Sequence, residues 1–197
     1  MRWTSVKQTP LYKGFFELVG VDLRHDLFAG GESRVLHREL LSHGDVSAVL
    51  PYDPQRDELV LIEQFRVGAR GREDGPWLTE VIAGYQEPDE SPEDVAIRES
   101  FEEAGCHVTE LRQMLRYYST PGGSTECIYL YLGRTSTQGV GGIHGLEAEG
   151  EDIRVQVVSP QTAYKWLEDG RIDSAMTVIA IQWFRLHYDE IREAWLA

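Results

Sequence analysis

The chain has 197 residues, 42% hydrophobic and 26% charged, a balance that suits one globular domain with room for a small appendage. Its 33 acidic side chains against 19 basic ones give a formal charge of −14, which argues against a nucleic-acid partner because phosphate binding needs clustered Lys and Arg. The segment MRWTSVKQTPLYKGFF lacks a signal-peptide apolar stretch, AMTVIAIQWF is too short to span a bilayer, and Cys106 and Cys127 are too few for a disulfide framework. A cytoplasmic protein with reduced thiols and no membrane partner is therefore expected.

In chain order, residues 12 to 43 alternate in places and turn at Ala29-Gly30-Gly31, which predicts antiparallel strands. The apolar runs DVSAVLP (45 to 51) and ELVLIEQ (58 to 64) flank the turn Asp53-Pro54-Gln55-Arg56-Asp57 and read as paired central strands. Trp77 to Ala83 reads as a further strand. A helix follows from Pro92 to Ala104: Ser91 is placed to cap it, Pro92 fits its first position, Glu93 and Asp94 suit its dipole, and Gly105 can close it. Strands are predicted at 108 to 118, 127 to 133 and 152 to 158. One helix starts at Ser159-Pro160, carrying Ala163, Trp166 and Leu167. A last helix from Ser174 to Trp195 bears the stripe Val178, Ile181, Phe184, Tyr188, Ile191, Trp195, whose spacing marks core packing. Together these give an α+β sandwich with a mixed sheet, residues 45–197, preceded by a small N-terminal antiparallel β subdomain, residues 1–44.

Within GYQEPDESPEDVAIRESFEEAG, residues 84 to 105, Gly84, Glu90, Arg98, Glu99, Glu102, Glu103 and Gly105 fit the string G-x5-E-x7-R-E-x-x-E-E-x-G. Seven such fixed positions coincide by chance on the order of once in 10⁸ windows. Glu99, Glu102 and Glu103 share one face of the predicted helix near its C-terminus, where the dipole opposes negative charge. Such crowding calls for a cation, and hard carboxylate oxygens suit magnesium. Ile97 and Phe101 point the other way and are expected to anchor the helix to a core. Arg98 can pair with Glu90 and hold the loop. A second acidic run, Glu147 to Asp152, follows the glycine-rich segment Gly139 to Gly145, which suits a mobile loop.

This string resembles the signature of the Nudix family of diphosphate hydrolases, with Ser100 where an aliphatic residue is usual and Cys106 in the final apolar slot. Pro121, sixteen residues after Gly105, and the segments GFFEL, LPYDP, LIEQFR, TPGGSTE, GIHGL and EGEDIRV are similar to the ADP-ribose pyrophosphatase branch over nearly the whole length. That resemblance implies the Nudix α/β/α sandwich and hydrolysis of ADP-ribose to AMP and ribose 5-phosphate. It also implies a homodimer with exchanged N-terminal strands, and two to three divalent cations per site, magnesium or else manganese or another such ion. Carried over by position, it implies metal ligands at Glu99, Glu102, Glu103, Glu151 and the Ala83 carbonyl, and Glu149 as general base. Phe15, Arg38, Arg66 and Glu126 are its implied substrate contacts, with Gly84, Glu90, Arg98 and Gly105 shaping the signature loop. Two other functions compete: hydrolysis of another nucleoside diphosphate sugar such as GDP-mannose, and a non-catalytic ADP-ribose sensor. Intact carboxylates weigh against the sensor.

Overall fold

The computed structural model describes residues 1–197, apart from the Glu149 side chain. The chain divides into two compact units, Met1–Asp45 with Tyr117–Ile128, and Val46–Arg116 with Tyr129–Ala197.

The first unit is a three-stranded antiparallel sheet, β1 Trp3–Lys13, β2 Glu17–His25 and β3 Leu36–Ser42, in that order. β1, which alternation alone did not delimit, pairs from Trp3↔His25 to Lys13↔Glu17, with register shifts at Ser5/Lys7 and at Pro10/Tyr12. The second shift falls where Pro10 has no N–H to give a ladder. The predicted turn is present, with Gly30 and Gly31 at φ +88° and +81°. Residues 117–128 join this unit through Leu41, whose N–H donates to Gly123 and whose carbonyl accepts from Thr125.

The second unit is built on an eight-stranded sheet. Its central strand, β4 Val46–Asp53, is buried along its whole length, which is why it reads as an apolar run instead of an alternation. β5 Glu58–Phe65 lies beside it across the turn at Asp57. The predicted strand at 77 to 83 is two strands: β6 Trp77–Glu80 pairs with β5 and β7 Ile82–Tyr85 with β4. They part at Val81, whose N–H donates to Thr177 Oγ1 at 3.0 Å instead of to a ladder. After the helix α1 Pro92–Ala104 come β8 Glu110–Tyr118, β9 Cys127–Arg134, β10 Gly142–His144 and β11 Ile153–Val158. The spatial order is β10-β11-β5-β4-β9-β8. Cys127 N–H reaches Asp45 at the start of β4 and Thr135 N–H reaches the Tyr52 carbonyl near its end, so β9 runs parallel to β4 and the sheet is mixed.

Alternation along the strands gives the sheet two faces. Val49, Val60, Ile62, Ile82, Tyr131 and Ile153 pack with Ala96, Ala104 and Cys106 from α1 and the residues after it. Leu50, Tyr52, Leu59 and Leu61 are also fully buried, and the Tyr52 ring meets Phe184 edge-on at 4.8 Å. That second layer comprises α2 Pro160–Glu168 and α3 Ala175–Leu196. α3 buries Thr177, Ala180, Ile181, Phe184, Ile191 and Trp195; truncating a buried aromatic such as Phe184 to Ala costs about 3–5 kcal/mol in general. Asp57 pins this helix to the β4–β5 turn, accepting from Tyr52 and Tyr188 at 2.8 Å each and pairing with Arg192 at 3.0 Å. Its φ of +56° is one that Asp tolerates better than most residues, and the three bonds offset the strain. Among the described residues no helix is long and apolar enough to cross a membrane.

α1 has the boundaries its sequence predicts, and its ends show why. Ser91 Oγ accepts from Asp94 N–H at 3.2 Å. Gly105, at φ +62°, lets its own N–H reach Phe101 O and that of Cys106 reach Ser100 O, closing the helix in left-handed geometry. The expected anchor face is wrong, however. Ile97 and Phe101 are 45% and 56% exposed, and the helix instead buries Val95, Ala96, Ser100, Glu103 and Ala104. The carboxylate side of the helix is the side turned to the sheet. Ser100, at the usually aliphatic position, is fully buried and donates to the Ala96 carbonyl at 2.7 Å, so its hydroxyl is satisfied within the helix.

Candidate active site

β7 and α1 bring the signature residues together, and two glycines make their approach possible. A Cβ on Gly84 would overlap the Glu99 carboxylate and come within 2.6 Å of its Cγ, so only glycine leaves Glu99 its place over the strand. A Cβ on Gly105 would meet the His144 ring at 2.9 Å, adding a packing reason to the conformational one.

Arg98 is the hub of the loop. Its Nε and Nη2 grip Glu90 at 2.9 and 3.0 Å, while Nη1 donates to Glu99 at 2.6 Å and to Glu102 at 3.0 Å. The forked pair with Arg98 holds the Glu90 carboxyl below its ordinary range. Arg98 supplies one positive charge against three carboxylates, and Glu103 is left outside its reach. Glu103 is 3% exposed and accepts from Ala83 N–H at 3.1 Å. Burial pushes its carboxyl up to about 8; the Ala83 bond opposes the rise, and the charges of Glu99 and Glu151 add to it. Burial likewise raises Glu99, against the pull of Arg98 and with a push from Glu102 and Glu151.

Glu99, Glu103 and Glu151 are therefore near enough to repel one another, although Glu151 lies some fifty residues on. Its position follows from the turn before it: Glu151 Oε2 accepts from Leu146 N–H at 3.0 Å, and a Cβ on Gly145, at φ +102°, would meet the Glu151 Cβ at 2.7 Å. The glycine-rich segment expected as a loop contains β10, which pairs with β11 from Gly142↔Val155 to His144↔Ile153. Glu149 belongs to a short 3-10 turn, Glu147–Glu149, and its side chain lies outside the described residues.

These residues fit a divalent cation. The donors are hard oxygens, Glu103 buried and Glu99, Glu102 and Glu151 partly so, which is the set that magnesium or manganese takes. Ala83 turns its N–H away from β4 toward Glu103; within a strand a residue's carbonyl leaves on the same side as its N–H, so the Ala83 oxygen lies along that edge too. Among the described residues no group of three His, Cys, Asp or Glu side chains stands at coordinating distance; Arg98 bonds Glu99 and Glu102.

Arg66 follows β5 and reaches the same region, its charge acting on Glu103. Its Nε donates to Glu80 at 2.6 Å. A cleft of about 370 Å³ opens here, lined by Gln64, Phe65, Arg66, Trp77, Glu151 and Asp152. Gln64, Trp77 and Glu80 carried no sequence signal of a site, since each sits in a strand pattern that packing alone explains.

Phe15, Arg38 and Glu126 belong to the other compact unit. Phe15, 72% exposed, meets Phe16 edge-on at 4.9 Å and His43 at 4.3 Å. Arg38 is exposed on β3 and donates to its neighbour's carbonyl, His37 O, at 2.7 Å. Glu126 is half-buried, and its N–H is taken by Ser124 Oγ at 3.1 Å.

Residues 41–177 match the family model described as the NUDIX domain. The chain is 47% identical over 188 residues to an ADP-ribose pyrophosphatase of Haemophilus influenzae, covering 94% of this chain and 87% of that one. It is 31% identical over 188 residues to a GDP-mannose pyrophosphatase of Escherichia coli O1:K1, covering 94% and 96% of the two. A solved structure described as an ADP compounds hydrolase superposes with a TM-score of 0.73 at 20% identity, covering 98% of this chain and 97% of that one, a likeness of fold.

Proposed function

The chain belongs to the Nudix family, and from that premise we propose that it hydrolyses the diphosphate of ADP-ribose to AMP and ribose 5-phosphate. The observation that carries the substrate is the 47% identity to an ADP-ribose pyrophosphatase along 94% of the chain, against 31% to a GDP-mannose pyrophosphatase. A small N-terminal sheet and an intact carboxylate set agree with it.

In this reading Glu99, Glu102, Glu103, Glu151 and the Ala83 carbonyl would hold two or three magnesium ions. When bound, such ions would supply positive charge against the diphosphate and lower the pKa of a bound water. Glu149 accepts the water's proton. Arg98 keeps Glu99 and Glu102 extended toward the site while Glu90 anchors it, and Gly84 gives Glu99 its room. Arg66 presents its planar fork to a phosphate oxygen, which helps draw an anion into a molecule of formal charge −14. Phe15 stacks on the adenine, Arg38 adds a second guanidinium, and Glu126 accepts from the terminal ribose. The working form is a cytoplasmic homodimer with exchanged N-terminal strands.

The test is release of AMP and ribose 5-phosphate from ADP-ribose with and without magnesium, run beside GDP-mannose and ADP-glucose. Magnesium-dependent cleavage of ADP-ribose well above the others is expected. Preference for GDP-mannose would keep the chemistry and discard the substrate. Tight ADP-ribose binding without turnover would point to the sensor.

A further inference from the structure

Resting on that reading, we infer that Glu80, backed by Ser174, is a positioning residue that aims Arg66 at the substrate diphosphate. Arg66 is the last extended residue before a 3-10 turn, φ −124° and ψ 108°, and its backbone is tied to Pro76 O at 2.8 Å. Its side chain is 45% exposed in the pair with Glu80; without that partner it would be a long arm at a strand end, free to sample many rotamers. Glu80 removes that freedom. The register sets Glu80 opposite Ile62, four residues before Arg66, so the pair draws the guanidinium back along β5, near enough for its charge to act on Glu103.

The division of hydrogen bonds shows what the pair is arranged to do. Glu80 takes Arg66 through Nε with its Oε2. Its other oxygen, Oε1, accepts from Ser174 Oγ at 2.9 Å. Arg–carboxylate pairs are frequently forked, the carboxylate accepting two parallel N–H groups. Here both Nη groups of Arg66 have no partner among the described residues, and Arg66 lines a cleft together with Gln64, Glu151 and Asp152. Two donors kept free beside clustered carboxylates suit a phosphate oxygen that arrives with its cations. Ser174 stands at the N-cap of α3, makes no side-chain capping bond and donates its hydroxyl to Glu80. The start of α3 thereby fixes a carboxylate that fixes an arginine, and Thr177 one turn later fixes the Val81 N–H beside it.

Two readouts test this. The first needs no substrate: in a nitrogen-15 spectrum, the Arg66 Nε–H should give a distinct resonance in slow exchange with water, identified by its loss in Arg66→Ala. Glu80→Ala should remove that protection, and Ser174→Ala should weaken it while the backbone spectrum stays folded. The second is a double-mutant cycle on ADP-ribose with magnesium. Glu80→Ala and Arg66→Ala should each raise KM roughly tenfold with kcat changed less, and the double variant should be no worse than Arg66→Ala alone. Should Glu80→Ala fail to fold, Glu80→Gln and Ser174→Ala carry the same cycle. The inference is overturned if the Arg66 resonance ignores Glu80, if Glu80→Ala leaves KM unchanged or lowers it, or if its effect persists without Arg66. A wild type that leaves ADP-ribose intact while the resonance behaves as stated would remove the substrate reading and leave the pairing in place.

Discussion

At the scale of single residues, the site depends on one missing methyl and one misplaced charge. Gly84→Ala puts a carbon where Glu99 lies, so the carboxylate must swing away while α1 and β7 stay folded. We expect turnover to fall by about a hundredfold or more, on the scale that a 1 Å misplacement costs, with a melting temperature within a few degrees of wild type. Glu103→Gln tests the charge. The amide keeps an oxygen for Ala83 N–H but cannot repel Glu99 and Glu151. Turnover at saturating magnesium should be abolished, and the metal-free protein should melt no lower than wild type. Wild-type turnover at limiting magnesium would show that Glu103 holds no metal.

At the scale of elements, legibility followed the range of the forces involved. α1 could be delimited because Ser91, Pro92 and Gly105 act within a turn of themselves. Its buried face could not, because that depends on the sheet: assuming that three carboxylates face water put Ile97 and Phe101 inside, whereas Glu103 is held against β7 by Ala83. The split of 77 to 83 into β6 and β7 was equally hidden, since it turns on Thr177, far along the chain. β10 was read as loop because its glycines have no strand preference and only pairing with β11 orders them. Glu99, Glu102 and Glu103 were legible as a cluster from spacing alone, but the convergence of Glu151 and Arg66 on them needed the fold.

The β4–β5 connection offers a test at this scale. Asp53, 1% exposed, accepts from Gln55, Arg56 and Thr137 N–H groups and from the Arg56 and Thr137 side chains. Burial alone would raise its carboxyl, but these bonds outweigh it and hold the group below its ordinary value. A carboxyl lowered in the folded state binds fewer protons than in the unfolded chain, so its stabilisation is present above about pH 4 and is lost as pH falls below that. Asp53→Asn should therefore cost about 2 kcal/mol near neutrality and flatten the acid limb of a stability–pH curve. An unchanged acid limb would assign the dependence to other carboxylates.

At the scale of the whole molecule, the first compact unit is short of core. Among the side chains of its three strands only Val21 is buried, while Trp3, Tyr12, Phe15, Phe16 and Phe28 are 40% exposed or more. A sheet this small, with apolar groups in water, needs another surface to cover it, and a second copy of the chain is the partner proposed. Sedimentation equilibrium at micromolar concentration should give twice the 22.4 kDa of one chain. A single-chain mass would discard the strand-exchanged dimer.

The position of Cys106 in the core beneath α1 has a practical consequence for chemical labelling. It is 1% exposed with its thiol pushed by burial up to about 12, and Cys127, the other free cysteine, is 2% exposed. Neither should react with a disulfide reagent such as dithionitrobenzoate in the folded protein, and both of the two should react in denaturant. The native background is then blank. A cysteine placed at Ile143, 65% exposed on β10, would be the sole reactive thiol, and a fluorophore there could report on the acidic segment as ligand and magnesium arrive, with both native cysteines left in place.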